Sequence, residues 1–241
     1  MPKENPPRSL TDERVATRSE INQFLAEVDR STHSRNADNI SRLLFAIDAT
    51  ASREPTWDHA CQLQSQMFVA TTQLGNLHVQ LCHYGGFNHF SVSEWCRSAN
   101  ALMSEMNKVR CRGGHTQIKK VLEHAMLEHT KKRIKAIVFI GDAIEENPDH
   151  LCHLAGKLGV LGVPLFIFHE GSTPGVSSVF KQMTELSGGA YAPFNLASAS
   201  ELKELLSAVA IFATGGWAAL EQFEQKAHRR TMLTHQLRTE R

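Results

Sequence analysis

The apolar run 43–47 ends directly in a short segment that carries side-chain oxygen at every second position. The run reads Leu-Leu-Phe-Ala-Ile, which is typical of a parallel strand buried on both faces. The segment after it supplies the carboxylate of Asp48 and the hydroxyls of Thr50 and Ser52. Ligands of open α/β sheets bind where the carboxyl ends of the strands meet the loops. The sequence therefore places these oxygen donors at the functional edge of a predicted sheet.

Strand and helix patterns alternate along the rest of the chain. Apolar residues recur at helical spacing between predicted strands at 77–84, 89–93, 134–140, 163–168 and 190–194. Gly85-Gly86 predicts a tight turn, so the short strand 89–93 is expected to pair antiparallel at the edge. The pattern predicts an α/β fold of three layers. It is a doubly wound, mostly parallel six-stranded sheet with one short antiparallel edge strand and helices on both faces.

The chain is expected to have three parts. Residues 1–39 form an N-terminal extension with an amphipathic helix at 11–30 and a linker, 40–213 form the main domain, and 214–241 form a C-terminal helical extension. Within the main domain, Trp57 is assigned to the core of a helix that follows the Asp48 loop. The helical period also places Trp95 on one face with Ala99 and Leu102.

Composition excludes several classes of function. A formal charge of +1 over 241 residues gives no electrostatic argument for binding nucleic acid or an anionic membrane. No apolar segment approaches the roughly 20 residues of a membrane helix, and the amino terminus has no signal-peptide pattern. The five cysteines are odd in number and lack Cys-x-x-Cys spacing, so we interpret them as reduced thiols. These observations favour a cytoplasmic protein.

Two later segments extend the oxygen-rich motif. Thr116 follows a glycine-rich loop ahead of a predicted helix, and Asp142 ends a second apolar strand. Together with Asp48, Thr50 and Ser52 they resemble the metal-ion-dependent adhesion site (MIDAS) of von Willebrand factor A (VWA) domains. The pattern of that site is Asp-x-Ser-x-Ser, then a distant Thr, then a distant Asp. All five positions carry the corresponding chemistry in the corresponding order.

The resemblance covers about residues 40–213 and implies a role for each of the five side chains. Thr50 and Ser52 would bind the metal directly, and Thr116 would bind it directly or through water. Asp48 and Asp142 would act through bound waters. These oxygen donors suit Mg²⁺ first, with Mn²⁺ or Ca²⁺ as alternatives. Neutral inner ligands leave the cation under-compensated, so a Glu or Asp carboxylate of a protein partner would complete its shell.

The sequence departs from the VWA pattern at three places. Thr50 stands where Ser is more usual, which keeps the hydroxyl and adds a methyl group. Gly141 precedes Asp142 where Thr is common, and Ala143 follows it where Gly is common. None of these changes removes a ligand. They leave open the alternative of a VWA scaffold that has lost its metal.

An interaction module is favoured over an enzyme. A dehalogenase-type phosphatase needs a second acid at the position of Thr50, and neither a Gly-x-Gly-x-x-Gly turn nor a P-loop is present. A metal-dependent hydrolase remains the third alternative. The resemblance is to bacterial-type cytosolic VWA proteins, which often work with AAA+ ATPases of the MoxR type. An ATPase of that type is therefore the expected partner.

Other polar side chains are weaker candidates. Arg53 is interpreted as a contact for an acidic partner. Seven further histidine and glutamate residues lie at helical spacing or beside the motif, without a third converging ligand. We interpret them as solvated, packing or rim residues: His115, His124, Glu128, Glu145, Glu146, His150 and His153.

Overall fold

The structure is a computed structural model that describes residues 40–54, 77–171, 173–194, 206–216 and 218–220. The chain divides into two compact units, Met1–Asn39 and Ile40–Arg241, and the described residues belong to the second. The predicted helix at 11–30 and the predicted helix that contains Trp57 lie outside the described residues. The boundaries of the two terminal extensions stay predictions.

A six-stranded sheet forms the middle layer. Its strands are β1 (Ser41–Asp48), β2 (Leu77–Gly85), β3 (His89–Cys96), β4 (Ala136–Gly141), β5 (Leu165–Glu170) and β6 (Ala190–Phe194). They lie in the order β3-β2-β1-β4-β5-β6. Every neighbouring pair is parallel except β2 and β3, which form an antiparallel hairpin. The predicted fold class is therefore confirmed.

Helices cover both faces of this sheet. The helices with full bounds are α1 (Ala99–Met106), α2 (Ile118–Lys131), α3 (Pro148–Val160) and α4 (Pro174–Ser187), and residues 206–216 are also helical. Leu44 and Ala46 of β1 pack into one core cluster with α2, α3 and α4. Leu43 and Phe45 point to the opposite face, where their cluster includes residues of α1 and of the 206–216 helix. Side chains of a strand alternate between faces, so β1 contributes to both cores.

Local signals explain where the helices begin and end. The hydroxyl of Ser98 accepts a hydrogen bond from the Ala101 amide at the start of α1, and Asn147 caps α3 in the same way. Gly188 ends α4 in the left-handed conformation, with a φ of 70°.

No helix within the described residues is long and apolar enough to cross a membrane.

The edge strand differs from the prediction at its carboxyl end. β3 continues to Cys96 because its pairing with β2 resumes after an irregularity, so that Trp95 lies opposite Gln80. The Trp95 indole donates to a Glu128 carboxylate oxygen over 3.1 Å. The assignment of Trp95 to a helix face is therefore wrong. The helix begins at Ala99, after the strand has ended.

Candidate metal centre

The centre is built at the carboxyl end of β1, in the middle of the sheet. Asp48 is the last residue of this strand and has no exposed surface. Gly141 ends the neighbouring strand β4. A Cβ atom at Gly141 would lie 2.6 Å from the Phe139 ring and 3.4 Å from Cβ of Asp48. The glycine that departs from the VWA pattern therefore leaves room for the aromatic core beside the carboxylate.

Two donors hold the Asp48 carboxylate in place. Oδ1 accepts the Thr50 amide over 2.8 Å, and Oδ2 accepts the Tyr84 hydroxyl over 3.1 Å. Burial nevertheless raises the pKa of Asp48 from 3.8 to about 6. The negative charge of Asp142 adds to this rise in pKa, while the Thr50 hydrogen bonds and the Arg53 charge oppose it. The site thus stabilises the carboxylate less than water does, and a bound cation would correct this deficit.

The two hydroxyls of the first motif lie next to each other. A single 3-10 turn, Ala51–Arg53, folds the chain so that the Arg53 amide donates to the Thr50 carbonyl over 3.1 Å. Thr50 Oγ1 and Ser52 Oγ share a hydrogen bond over 3.0 Å. These oxygens therefore lie close enough together for one cation to contact both.

Arg53 lies beneath this turn and does not face solvent. Its side chain is 1% exposed. Nε donates to Glu170 over 2.8 Å and Nη1 donates to the Asp48 carbonyl oxygen over 2.8 Å. The interpretation of Arg53 as a partner contact is therefore wrong, because the guanidinium ties β1 to β5 inside the protein. A charge at this depth requires such pairing, since leaving it alone would cost several kcal/mol.

Asp142 supplies the second carboxylate and directly follows β4. Its Oδ1 is buried and accepts no hydrogen bond from the residues that the structure describes. Buried acceptors without a partner are uncommon and mark a place for a water molecule, an ion or a functional group. Asp142 also lies close enough to Asp48 to raise the pKa of that residue. Two adjacent carboxylates with hydroxyls beside them form a donor set that fits a hard divalent cation.

A loop brings Thr116 to the same edge of the sheet. The Arg112 amide donates to the Ala49 carbonyl over 3.0 Å, and the Gly86 amide donates to the Arg112 carbonyl over 3.2 Å. A Cβ atom at Gly114 would overlap the backbone of Gly86, whereas Gly113 has open space around it. Of the two adjacent glycines, Gly114 is therefore the one that allows the loop to pack against the β2–β3 hairpin.

The Thr116 hydroxyl is engaged by two acidic residues of the loop after β4. It donates to Oε2 of Glu146 over 2.9 Å and accepts the Glu145 amide over 2.9 Å. The Thr116 amide donates to a Glu145 carboxylate oxygen over 2.8 Å. Glu146 also accepts the Lys119 amide, so it caps the first turn of α2. Glu145 and Glu146 are thus more than rim residues, because they hold the predicted Thr ligand.

Sequence reasoning missed Tyr84 and underestimated the acidic pair. Tyr84 pairs with Asp48 in the β1–β2 register, and its pKa is raised by burial and by the nearby charges of Asp48 and Glu146. Its position was a usable signal, since a tyrosine that ends a predicted strand beside a metal motif brings a hydroxyl to the same edge. The role of Glu146 had a weaker signal, namely that Gln117, which precedes α2, is not one of the favoured N-cap residues, so the first amides of this helix need another acceptor.

The remaining candidates do not converge on a metal. His124 pairs with Gln80 over 2.9 Å, and Glu128 pairs with Arg42 over 2.6 Å. His115 is exposed and lies 3.2 Å from Glu145. His150 and His153 are exposed on α3. Among the described residues there is no group of three or more His, Cys, Asp and Glu side chains that would hold a metal, so any metal here depends on the hydroxyls.

Solved structures with the same arrangement identify the fold. The chain matches the VWA domain of SpRpn10 with a TM-score of 0.57 at 16% identity, over 68% of this chain and 95% of that one. The chain has the fold of a VWA domain. A second match, the von Willebrand factor type A protein from Catenulispora acidiphila, has a TM-score of 0.56 at 16% identity over 69% of this chain and 42% of that one. At these identities the likeness concerns the fold alone.

A third VWA-fold structure is the proximal thread matrix protein 1 of the mussel byssus, with a zinc-occupied MIDAS motif. It has a TM-score of 0.56 at 16% identity, over 70% of this chain and 45% of that one. This chain therefore spans less than half the length of the second and third structures. No protein-family model matches the sequence, and no curated protein is significantly similar to it.

Proposed function

We propose that this VWA-fold chain is a protein–protein interaction module that depends on a divalent cation. Asp48, Thr50, Ser52, Thr116 and Asp142 are the proposed metal residues. The cation is Mg²⁺, with Mn²⁺ or Ca²⁺ as alternatives, because the donors are hard oxygens. A bound cation would supply an open coordination position for one acidic side chain of a protein partner.

The pair of carboxylates at the ends of β1 and β4 carries this proposal. Asp48 has its pKa raised to about 6, and Asp142 has a buried Oδ1 that accepts no hydrogen bond from a described residue. Both features cost stability when the carboxylates are ionised without a counter-charge. The adjacent Thr50 and Ser52 hydroxyls could complete an oxygen-rich site. A divalent cation is the simplest partner that would satisfy all of these oxygens together.

The proposal extends to partner and location. The partner presents a Glu or Asp carboxylate, and a MoxR-type AAA+ ATPase is the proposed candidate. We place the module in the cytoplasm of a bacterium, where the thiols that form no disulfide within the described residues would stay reduced: Cys82, Cys96, Cys111 and Cys152. We further propose that it has no enzymatic activity of its own. The zinc-occupied MIDAS of the mussel byssus protein supports a metal role for this edge of the fold.

Calorimetric titration of the full chain with Mg²⁺ and Mn²⁺ tests the metal site directly. We expect one site in the native protein and none in Asp48→Ala or in the double variant Asp48→Ala, Asp142→Ala. Glu94→Gln, an exposed change on β3, serves as the matched control and should keep the site. Unchanged metal binding in the double variant would exclude these carboxylates as ligands.

A VWA scaffold without metal is the second candidate function. The observation that favours it is the Thr116 hydroxyl, which already donates to Glu146 and accepts from Glu145 and so has only one lone pair left for a metal. In that case the native chain would show no saturable Mg²⁺ or Mn²⁺ binding. It would also capture the same partner in the presence of a chelator.

A further inference from the structure

A polar cavity lies beside the metal edge, between the β2–β3 hairpin and the segment that follows α1. Its volume is about 240 Å³. At ~30 Å³ for each water molecule, this space corresponds to about eight waters. His83 of β2 and His89 of β3 line one side of it. The cavity is therefore large enough for a small polar ligand.

Three cationic residues line the opposite side at alternate positions. They are Lys108, Arg110 and Arg112, while Val109 between them is buried in the core. Lys108 lies in the turn that follows α1, and Arg110 and Arg112 follow it in the segment that leads to α2. Among the described residues of the lining the one carboxylate is Glu105, which pairs with Lys108 over 2.7 Å. With both histidines counted as neutral, the described side chains of the lining, three positive and one negative, carry a net charge of +2.

The two arginine side chains of the cavity make few hydrogen bonds to the rest of the protein. Arg110 donates from Nη1 to the backbone carbonyls of Asn107 and Val109, over 2.6 Å and 2.8 Å. The guanidinium of Arg112 makes no hydrogen bond to any residue within the described ranges, although its backbone is bonded to Ala49 and Gly86. Each guanidinium carries five N–H donors, so most of the donors in this cavity are available to a ligand.

The pKa of His83 depends on its burial and on the charges around it. Its pKa is lowered from 6.5 to about 4, first by burial and then by electrostatic interaction with His89 and Arg112. A neutral imidazole keeps one N–H donor at physiological pH. His83 therefore adds a neutral donor to the cavity, and the positive charge comes from the three cationic side chains.

We propose that this cavity binds a phosphoryl group, either as free inorganic phosphate or as the phosphate ester of a small molecule. Arginine forks match the oxygens of phosphate in a bidentate manner, which a single lysine cannot do. The volume exceeds what a carboxylate alone would fill. The site is separate from the proposed metal ligands and does not depend on them.

Titration of the full chain with inorganic phosphate tests this proposal, at pH 7.5, constant ionic strength and with EDTA present. Binding is followed by calorimetry and by the ring signals of His83 in NMR spectra. We expect one saturable site, weakened at least tenfold by Arg112→Gln and by Arg110→Gln. Arg112 is exposed and its guanidinium is bonded to no described residue, so Arg112→Gln should leave the fold unchanged, whereas Arg110→Gln also removes two hydrogen bonds to the backbone. Glu105→Gln removes the carboxylate that the described lining contains and should tighten binding.

Two controls make the result specific. Arg133→Gln removes an exposed cation at the opposite, amino-terminal edge of the sheet and should leave phosphate binding unchanged. Asp48→Ala should also retain it, which separates this site from the metal site. O-phosphoserine in a parallel titration distinguishes an ester from free phosphate, because an ester site binds it more tightly. If neither probe saturates, or if Arg112→Gln binds both as well as the native chain does, the proposal is wrong.

Discussion

The Tyr84 hydroxyl donates a hydrogen bond to Oδ2 of Asp48 over 3.1 Å, with both groups buried at the ends of adjacent parallel strands. The two residues lie opposite each other in the β1–β2 register, so the alignment of the strands fixes the contact. The hydroxyl keeps one face of the carboxylate occupied. The negative charge of Asp142 acts on the same carboxylate and raises the pKa of Asp48 further.

Replacing Tyr84 by Phe tests how strongly this hydroxyl supports the carboxylate. The ring and its stacking on Phe139 are kept, and only the donor is lost. A hydrogen bond to a charged group is worth about 1.5–3 kcal/mol, so we expect a loss of that order in the free energy of unfolding at pH 8. The loss should be smaller at pH 4, where Asp48 is protonated. Urea denaturation at both pH values in EDTA measures it, and an equal loss at the two would contradict this account.

The raised pKa of Asp48 predicts a pH-dependent penalty on stability. The folded carboxyl titrates near pH 6 and the unfolded one near 3.8, so the folded state binds more protons between these values. Stability is therefore highest below pH 4 with respect to this group, and it falls as the pH rises to about 7. A rise of about two pKa units corresponds to about 3 kcal/mol. In EDTA at pH 8, Asp48→Asn should therefore be more stable than the native chain.

Bound metal should reverse the order of stability of the native chain and Asp48→Asn. In saturating Mg²⁺ the native chain gains stability by mass action, whereas Asp48→Asn should gain little. Thermal melts at pH 4 and pH 8, with EDTA or Mg²⁺, supply the comparison. Glu94→Gln is the control for a change of one surface charge and should follow the native curve. If Asp48→Asn is less stable than the native chain at pH 8 in EDTA, the buried carboxylate is not the source of the penalty.

The fold could be predicted because its signals are local and repeated. Apolar runs such as 43–47 specify strands that are buried on both faces, and the turn at Gly85-Gly86 specifies the hairpin. The convergence of the two aspartates of the metal motif also follows from the strand topology. Asp48 ends β1 and Asp142 follows β4, and these two strands are neighbours in the sheet, which brings both side chains to one edge.

The contacts around the site could not be predicted, because they join residues far apart in the sequence. Arg53 follows the motif directly, and only its depth shows that it binds Glu170 and not a partner. The link between Thr116 and Glu146 spans 30 positions and depends on how two loops meet. Trp95 was misassigned because an irregularity in the β2–β3 pairing extends the strand, and sequence periodicity does not reveal such an irregularity.

The adjacent residues Gly113 and Gly114 allow a matched test of whether the loop that carries Thr116 positions the metal site. Gly114→Ala would drive a methyl group into the Gly86 backbone, whereas Gly113→Ala meets open space. We expect Gly114→Ala to displace the loop that carries Thr116, to lower the melting temperature by several degrees and to weaken Mg²⁺ binding at least tenfold. Gly113→Ala should change neither quantity appreciably. Calorimetry and thermal melts check both variants, and equal behaviour of the two would show that the loop contact does not position the site.

The last prediction concerns capture of the partner, which should require both the metal and the Thr116 hydroxyl. Thr116→Ser keeps the hydroxyl, and Thr116→Val keeps the shape and removes it, so the pair isolates the oxygen. In Mg²⁺ we expect capture by the native chain and by Thr116→Ser, and a loss of at least tenfold for Thr116→Val. EDTA should release the partner, while moderate NaCl should matter less, because screening weakens diffuse attraction between exposed charges more than direct coordination.

The partner's docking residue is tested by a Glu→Gln or Asp→Asn change, which keeps the shape and removes the charge. A partner that stays bound in EDTA and binds Asp48→Ala and Thr116→Val as well as the native chain would exclude metal-dependent docking, because no step of that capture would then involve the cation.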